Sequence, residues 1–400
     1  MNIRKITFGN FKSLYNASFE PGKVNVFIGA NGSGKTTILE AIGLLSAAMT
    51  DRVDSSSLQR KGVRLSIPSL YKSSFKDLKR QRSMIDLSLE WEDDCCTDKF
   101  RYDVHLTTPT DTDYWKYHSE AFLQNGEKIW GRSNASQQQS NSYIGFFLID
   151  NDPELTTGRK IAEDFSSYGI FQPNTLTLRG TIPDPNQVSP VGLNGGRLAE
   201  AIRTLIHEND GDLFFGNLYM DDILDMIDWA SDISVDTPKK TTINANIPTT
   251  RQVIEFTDRY MKDTARFTGY DASEGALYVL FMLTLAMHPM GPSIFSVDSF
   301  DHALNPRLAK KMIQVFCEQI IQNNKHVFLT THNPLVLDGL DLQNDDIRLF
   351  AVDRDSNGYA QIRRISVSQE LIDEGLPLSR LWISGRLGGV PSLLCSSDLI

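Results

Sequence analysis

Hydrophobic patterning gives the two ends of the chain a similar α/β character and sets the middle apart. Residues 23–28 carry Val24, Val26, Phe27 and Ile28 as an apolar run that stops at glycine, as a strand buried on both faces does. A strand is also predicted over residues 2–8, and a helix over 35–48, a stretch rich in Leu, Ile and Ala. Alternating segments follow at 84–91 and 99–106, with a hairpin predicted around Asn125-Gly126, so this part reads as antiparallel sheet. Residues 131–142 (GRSNASQQQSNS) are polar and of low complexity, and a loose loop is expected there.

The stretch 173–196 is rich in Pro, Gly and Asn and reads as a link between subdomains. From 197 to 268 the pattern is helical. Within it, Leu218, Ile223, Leu224, Ile227 and Trp229 mix with Asp221, Asp222, Asp225 and Asp228, as on an amphipathic helix with a solvated acidic face. From 270 onward, strands at 293–298, 326–331, 347–353 and 359–365 alternate with helices at 274–287 and 306–322, and Asn357-Gly358 marks a last hairpin. Three units are expected: 1–150, a first lobe with an antiparallel β subdomain; 151–268, a linker and helical insert; and 269–400, a second lobe. No repeat of fixed period and no sustained heptad pattern is present.

Composition narrows the class. Apolar residues make up 40% of the chain, enough for a sizeable core, and the net charge of −10 argues against a generally basic nucleic-acid binder. Of the four cysteines, none lies in a CxxC pair or a zinc-spaced cluster, so reduced thiols are expected. The start, MNIRKITFGNF, has no secretory h-region, and the apolar run 276–287 is too short to span a bilayer. A cytoplasmic protein with no membrane contact is expected.

Gly29-Ala30-Asn31-Gly32-Ser33-Gly34-Lys35-Thr36 satisfies GxxxxGK[ST] at every fixed position, between a predicted strand and a predicted helix. Glycines let backbone N–H groups approach phosphate closely, and the helix offers its N-terminal dipole to the anion. Lys35 places a point charge by the β- and γ-phosphates, and the Thr36 hydroxyl suits Mg²⁺. The strand 293–298 ends in Asp298, placed to hold that Mg²⁺, as strand-end carboxylates do in phosphate-loop enzymes.

These residues extend into a family pattern. Residues 298–305 (DSFDHALN) resemble the Walker B and D-loop stretch of ABC-class ATPases. Residues 271–275 (DASEG) resemble their signature motif, and 330–334 (TTHNP) their switch-histidine loop. The start, with Asn10-Phe11-Lys12-Ser13 between strands, is similar to the RecF, SMC and OLD branch. The closest likeness is to compact ATPases of bacterial anti-phage systems of the Septu and OLD types. The resemblance implies an ABC-type P-loop ATPase head with an antiparallel β subdomain and a helical insert, using ATP and Mg²⁺.

It also implies a homodimer or higher homo-oligomer built around sandwiched ATP. Ala30, Asn31, Gly32, Ser33, Gly34, Lys35, Thr36 and Thr37 would bind the nucleotide in one copy, and Ser273 and Gly275 would touch its γ-phosphate from the other. Ser273 equally meets the needs of a plain N-cap. His332 would sense the γ-phosphate, or else be a satisfied structural histidine. The family's usual Glu after the Walker B Asp is replaced by Ser299, a poor general base. Either Asp301 takes over that role, or hydrolysis is slow and ATP mainly clamps a dimer; low but real hydrolysis is expected. No metal-facing Q-loop residue is evident; the expected place is 62–75.

Two further segments stand out. Arg60, Lys61, Arg64, Lys72, Lys76, Lys79, Arg80 and Arg82 crowd one stretch, opposed only by Asp77, with Tyr71 and Phe75 interleaved. It reads as a track for a nucleic-acid backbone, a solvated loop, or a docking face for an acidic partner. Near the end, Leu381, Trp382 and Ile383 suggest a packed segment, with turns at Gly385, Gly388 and Gly389. No nuclease constellation is visible, so a separate effector subunit is expected to do any cutting. The leading expectation is an ATPase that regulates a nuclease-type effector in anti-phage defence. The alternatives are a RecF-like repair ATPase and an ATP-binding scaffold; a transporter subunit is disfavoured by the RecF-like start and the antiparallel insert.

Overall fold

The computed structural model describes residues 2–50, 52–92, 98–110, 112–132, 140–142, 156–239, 243–244, 247, 251–262, 266–366 and 375–390. Cys95, Cys96, Cys395 and most of the polar run 131–142 lie outside the described residues. Cys317 is a buried free thiol, in keeping with reduced cysteines.

Two six-stranded sheets organise the chain. The first is antiparallel, in the order Ala17–Phe19, Asn2–Phe8, Met84–Glu92, Lys99–Thr107, Lys116–Gln124, Glu127–Arg132. Its last turn is the expected Asn125-Gly126 hairpin, with both residues at positive φ (52° and 86°). The second runs Ala360–Ile365, Ile347–Arg354, Val24–Ile28, His326–Thr330, Ile294–Val297, Ile170–Phe171. Its strands are parallel except the first-named, which returns antiparallel through the turn at Gly358.

The second sheet is covered on both faces, which is why its central strand is wholly buried. Val24, Val26 and Ile28 join a core built around the Glu274–Met287 helix, and Phe27 joins the core around the Lys35–Thr50 helix. Glu274–Met287 is apolar on every side and buried from Ala276 to Met287, as a helix enclosed on all sides must be.

The middle differs from the helical expectation. Among the described residues of 197–268, helices occupy only Leu198–Leu205 and Met220–Met226. The rest holds two three-stranded antiparallel sheets: Leu218–Tyr219, Asp212–Phe215, Ile206–Asn209; and Ala230–Asp236, Val253–Asp258, Arg266–Thr268. Asp210-Gly211, at φ 53° and 89°, makes the first hairpin, an Asp-Gly signal that the apolar spacing overrode. Near the end, Leu381 and Trp382 are buried as expected, but Ile383 is 71% exposed because the helix Leu378–Ile383 turns that face outward.

Candidate nucleotide-binding site

Four strands of the parallel sheet end at the same edge. In such sheets ligands bind in the crevice at the C-terminal ends of the strands. Val24–Ile28 leads into the phosphate loop, Ile294–Val297 into Asp298, His326–Thr330 into Thr331 and His332, and Ile170–Phe171 into Gln172.

Glycines shape the loop. Gly32 and Gly34 have φ of 76° and 121°, a region L side chains rarely adopt. A Cβ on Gly29 would lie 2.4 Å from Val352 O. The helix then starts at Lys35, with Thr36 and Thr37 partly buried in its first turn, while Asn31 and Gly32 are exposed and Ala30 half-buried. The Lys35 ammonium is buried and donates to Gly29 O at 2.7 Å and Ala30 O at 3.1 Å. Burial lowers its pKa, and the carboxylates of Asp298 and Asp301 oppose that shift. Ser33 Oγ is buried with no hydrogen-bond partner. A buried ammonium resting on its own loop and an unpartnered hydroxyl beside it suit an anion that satisfies both.

Asp298 is the convergence point. It accepts from Thr36 Oγ1 at 3.0 Å, Thr330 Oγ1 at 2.5 Å and Gln172 Nε2 at 3.0 Å. A hydroxyl and a carboxylate held together under a phosphate loop are oxygen donors of the kind Mg²⁺ takes. Asp301 Oδ1 accepts from Thr331 Oγ1 at 2.7 Å and from His332 N at 3.1 Å, so it fixes the loop that carries His332. Burial, then the nearby Lys35 charge, lowers the His332 pKa and keeps the ring neutral near pH 7. Ser299 sits in the left-handed region at φ 64° and donates its N–H to Thr330 Oγ1 at 2.8 Å.

Ser273 and Gly275 are not brought to this site. They line a separate open groove with Trp229, Ala303 and Arg307. Ser273 caps the Glu274–Met287 helix, accepting from Ala276 N at 3.3 Å, and also accepts from Trp229 Nε1 at 3.3 Å.

Gln172 was not legible. The residue that reaches Asp298 lies outside the expected stretch 62–75 and follows a two-residue strand at the sheet edge. The 60–82 segment also changes meaning. Lys61 is buried and donates to Ser166 O, and Arg64 pairs with Glu40 at 2.6 Å. Tyr71 is buried, and Phe75 packs edge-on against Tyr359, with ring centroids 4.2 Å apart. The interleaved aromatics are therefore committed internally, leaving Arg60, Lys76, Lys79, Arg80 and Arg82 as exposed cations, Arg82 beside Asp86 at 3.8 Å.

Strand, loop and helix with Lys35, Thr36 and the strand-end Asp298 define a P-loop nucleotide-binding protein. Residues 1–149 match a family described as "AAA ATPase domain", and residues 183–338 one described as "AAA domain, putative AbiEii toxin, Type IV TA system". The DNA replication and repair protein RecF of Phocaeicola vulgatus is 36% identical over 76 residues, and that of Renibacterium salmoninarum 44% identical over 55 residues. Those stretches are 18% and 13% of this chain, and the chain spans only 20% and 14% of the relatives' own lengths. The solved SMC head bound to the C-winged helix domain of ScpA shares the fold, with a TM-score of 0.52 and 13% identity, over 94% of this chain and 100% of that one. The family matches, the RecF likeness and the shared SMC head fold together support an ABC-class ATPase of the RecF/SMC type.

Proposed function

We propose that the chain binds ATP with Mg²⁺, closes on a second copy through that ATP, and hydrolyses it slowly to control a nuclease-type effector in anti-phage defence. The observation that carries this reading is the convergence of Thr36 and Gln172 on Asp298 beneath the phosphate loop. Thr36 and Asp298 would hold the Mg²⁺, and Lys35 would exchange its loop carbonyls for phosphate oxygens. When bound, the ion neutralises charge that builds on the transferred phosphoryl group. Neutral His332, anchored through Asp301, would hydrogen-bond the γ-phosphate.

Ser299 supplies no carboxylate for water activation. Asp301 would do so, but Thr331 and His332 already occupy Oδ1, which supports slow turnover. Ser273 and Gly275, on an open groove rather than against their own phosphate loop, support completion of the site by a second copy. A family description naming a toxin of a Type IV TA system supports a two-component system. The SMC head's bound ScpA domain supports docking of a partner chain. Arg60, Lys76, Lys79 and Arg80 would meet nucleic acid by charge alone, with strong salt dependence. Among the described residues, no helix is long and apolar enough to cross a membrane.

The RecF matches carry a second reading, a repair ATPase without an effector. Neighbouring genes separate the two: a nuclease favours defence, recombination genes favour repair. The direct experiment is to purify the protein with its neighbours' products, then measure mass and phosphate release with and without Mg²⁺ and ATP. An ATP-dependent dimer with slow release, both lost in Lys35→Ala, is expected. A mass indifferent to ATP would overturn the clamp, and unchanged turnover in Asp301→Ala would remove Asp301 from the chemistry.

A further inference from the structure

Tyr278 is 1% exposed, inside the Glu274–Met287 helix. Its hydroxyl lies 2.5 Å from Pro173 O and 2.8 Å from His302 Nδ1. A carbonyl oxygen only accepts, and a phenol has one proton to give. The hydroxyl therefore donates to Pro173, and His302 Nδ1 carries a hydrogen and donates to the phenolic oxygen. One atom thus joins three segments: the residue after Gln172, the signature helix, and the turn that follows Asp298.

Neighbouring bonds close the same seam. Thr175 Oγ1 donates to Glu274, and Arg179 Nη2 donates to Ala272 O at 3.1 Å. On its other side Gln172 is held by Leu193 O, which accepts its N–H at 2.9 Å, and by Asn194 Nδ2, which donates to its carbonyl at 2.8 Å. Residues 172–174 belong to no helix or strand, so these anchors set where the Gln172 amide points.

We propose that Tyr278 is the positioning residue for Gln172, its hydroxyl fixing the 172–174 loop so that the amide meets Asp298 at the Mg²⁺·ATP site. This deepens, and rests on, the reading of Asp298 and Gln172 as the metal side of that site. It assigns to a core tyrosine on the signature helix the task of holding a metal-side loop. Outer-shell partners of a metal site commonly change metal affinity by about 10–100-fold when removed.

Tyr278→Phe keeps the ring and removes the hydroxyl. Mg²⁺ is titrated into the full-length protein and its variants in the presence of a fluorescent ATP analogue, with affinity in a chelator as the reference. Tyr278→Phe and Gln172→Ala should each weaken the apparent Mg²⁺ affinity by about tenfold, with chelator affinity unchanged. The double variant should be no weaker than Gln172→Ala, since the hydroxyl acts through that amide. Wild-type Mg²⁺ affinity in Tyr278→Phe, or losses that multiply in the double variant, would overturn the proposal. Should Tyr278→Phe not fold, His302→Ala serves: the phenol still donates to Pro173, so Mg²⁺ affinity should stay near wild type, and a tenfold loss would overturn it. Loss of Mg²⁺ dependence in Asp298→Ala separates the two levels. If Asp298→Ala and Gln172→Ala both keep it, the metal-site reading falls and this proposal with it.

Discussion

Replacing Glu40 by alanine should cost about 3 kcal/mol of folding stability. Glu40 lies one turn beyond Thr36 on the Lys35–Thr50 helix, with no side-chain exposure. Lys12 Nζ meets Oε2 at 2.6 Å and Arg64 Nε meets Oε1 at 2.6 Å. Burial pushes this carboxyl's pKa up, but hydrogen bonds from Arg64 and Lys12 outweigh it and hold the pKa below the ordinary value of 4.5. Removing one partner of a buried ion pair typically costs about 3–5 kcal/mol. Lys12, 18% exposed, would be left without its counter-charge, whereas Arg64, 67% exposed, regains water. That places the loss at the lower end, about 3 kcal/mol.

Urea unfolding followed by tryptophan fluorescence measures it. The folded-state pKa of Glu40 is below the unfolded one, so its contribution is complete above the unfolded value of 4.5 and lost as pH falls through the folded value. The gap between wild type and Glu40→Ala should be flat above about pH 5 and should shrink in more acid solution. A gap under about 1 kcal/mol at pH 7, or one that widens on acidification, would refute the reasoning.

Gly29→Ala puts a Cβ 2.4 Å from Val352 O, so the loop must move; a stability loss of about 1–3 kcal/mol by thermal melting and weaker ATP binding are expected. Lys325 donates to Leu285 O at 2.8 Å and His288 O at 3.2 Å, and burial lowers its pKa to about 8. Between that value and 10.5 the unfolded chain holds the proton more tightly, so wild type should gain stability over Lys325→Met as pH rises from 8 to 10. Urea midpoints at the two pH values check this, and a falling difference would contradict it.

The phosphate loop was legible because its chemistry is local: eight contiguous residues between a buried strand and a helix. Asp298 and His332 were legible as ends of apolar strands. Gln172 was not, because Ile170–Phe171 is too short to announce a strand and gains its meaning by pairing with Ser296-Val297. The middle departs from the helical expectation because an apolar spacing that fits a long helix also fits the short helix Met220–Met226 followed by strands. The basic stretch is legible only in part, for a related reason. Lys61 and Arg64 look alike in sequence, and only packing shows that one is buried and the other bound to Glu40.

Calorimetric titration of ATP into wild type and Asp298→Ala, each with Mg²⁺ and with a chelator, tests the metal side of the nucleotide site most directly. Wild-type protein should bind ATP more tightly with Mg²⁺ than without, and Asp298→Ala should bind it equally in both. An equal Mg²⁺ gain in Asp298→Ala, or no gain in wild type, would contradict the assignment of Asp298 to the metal.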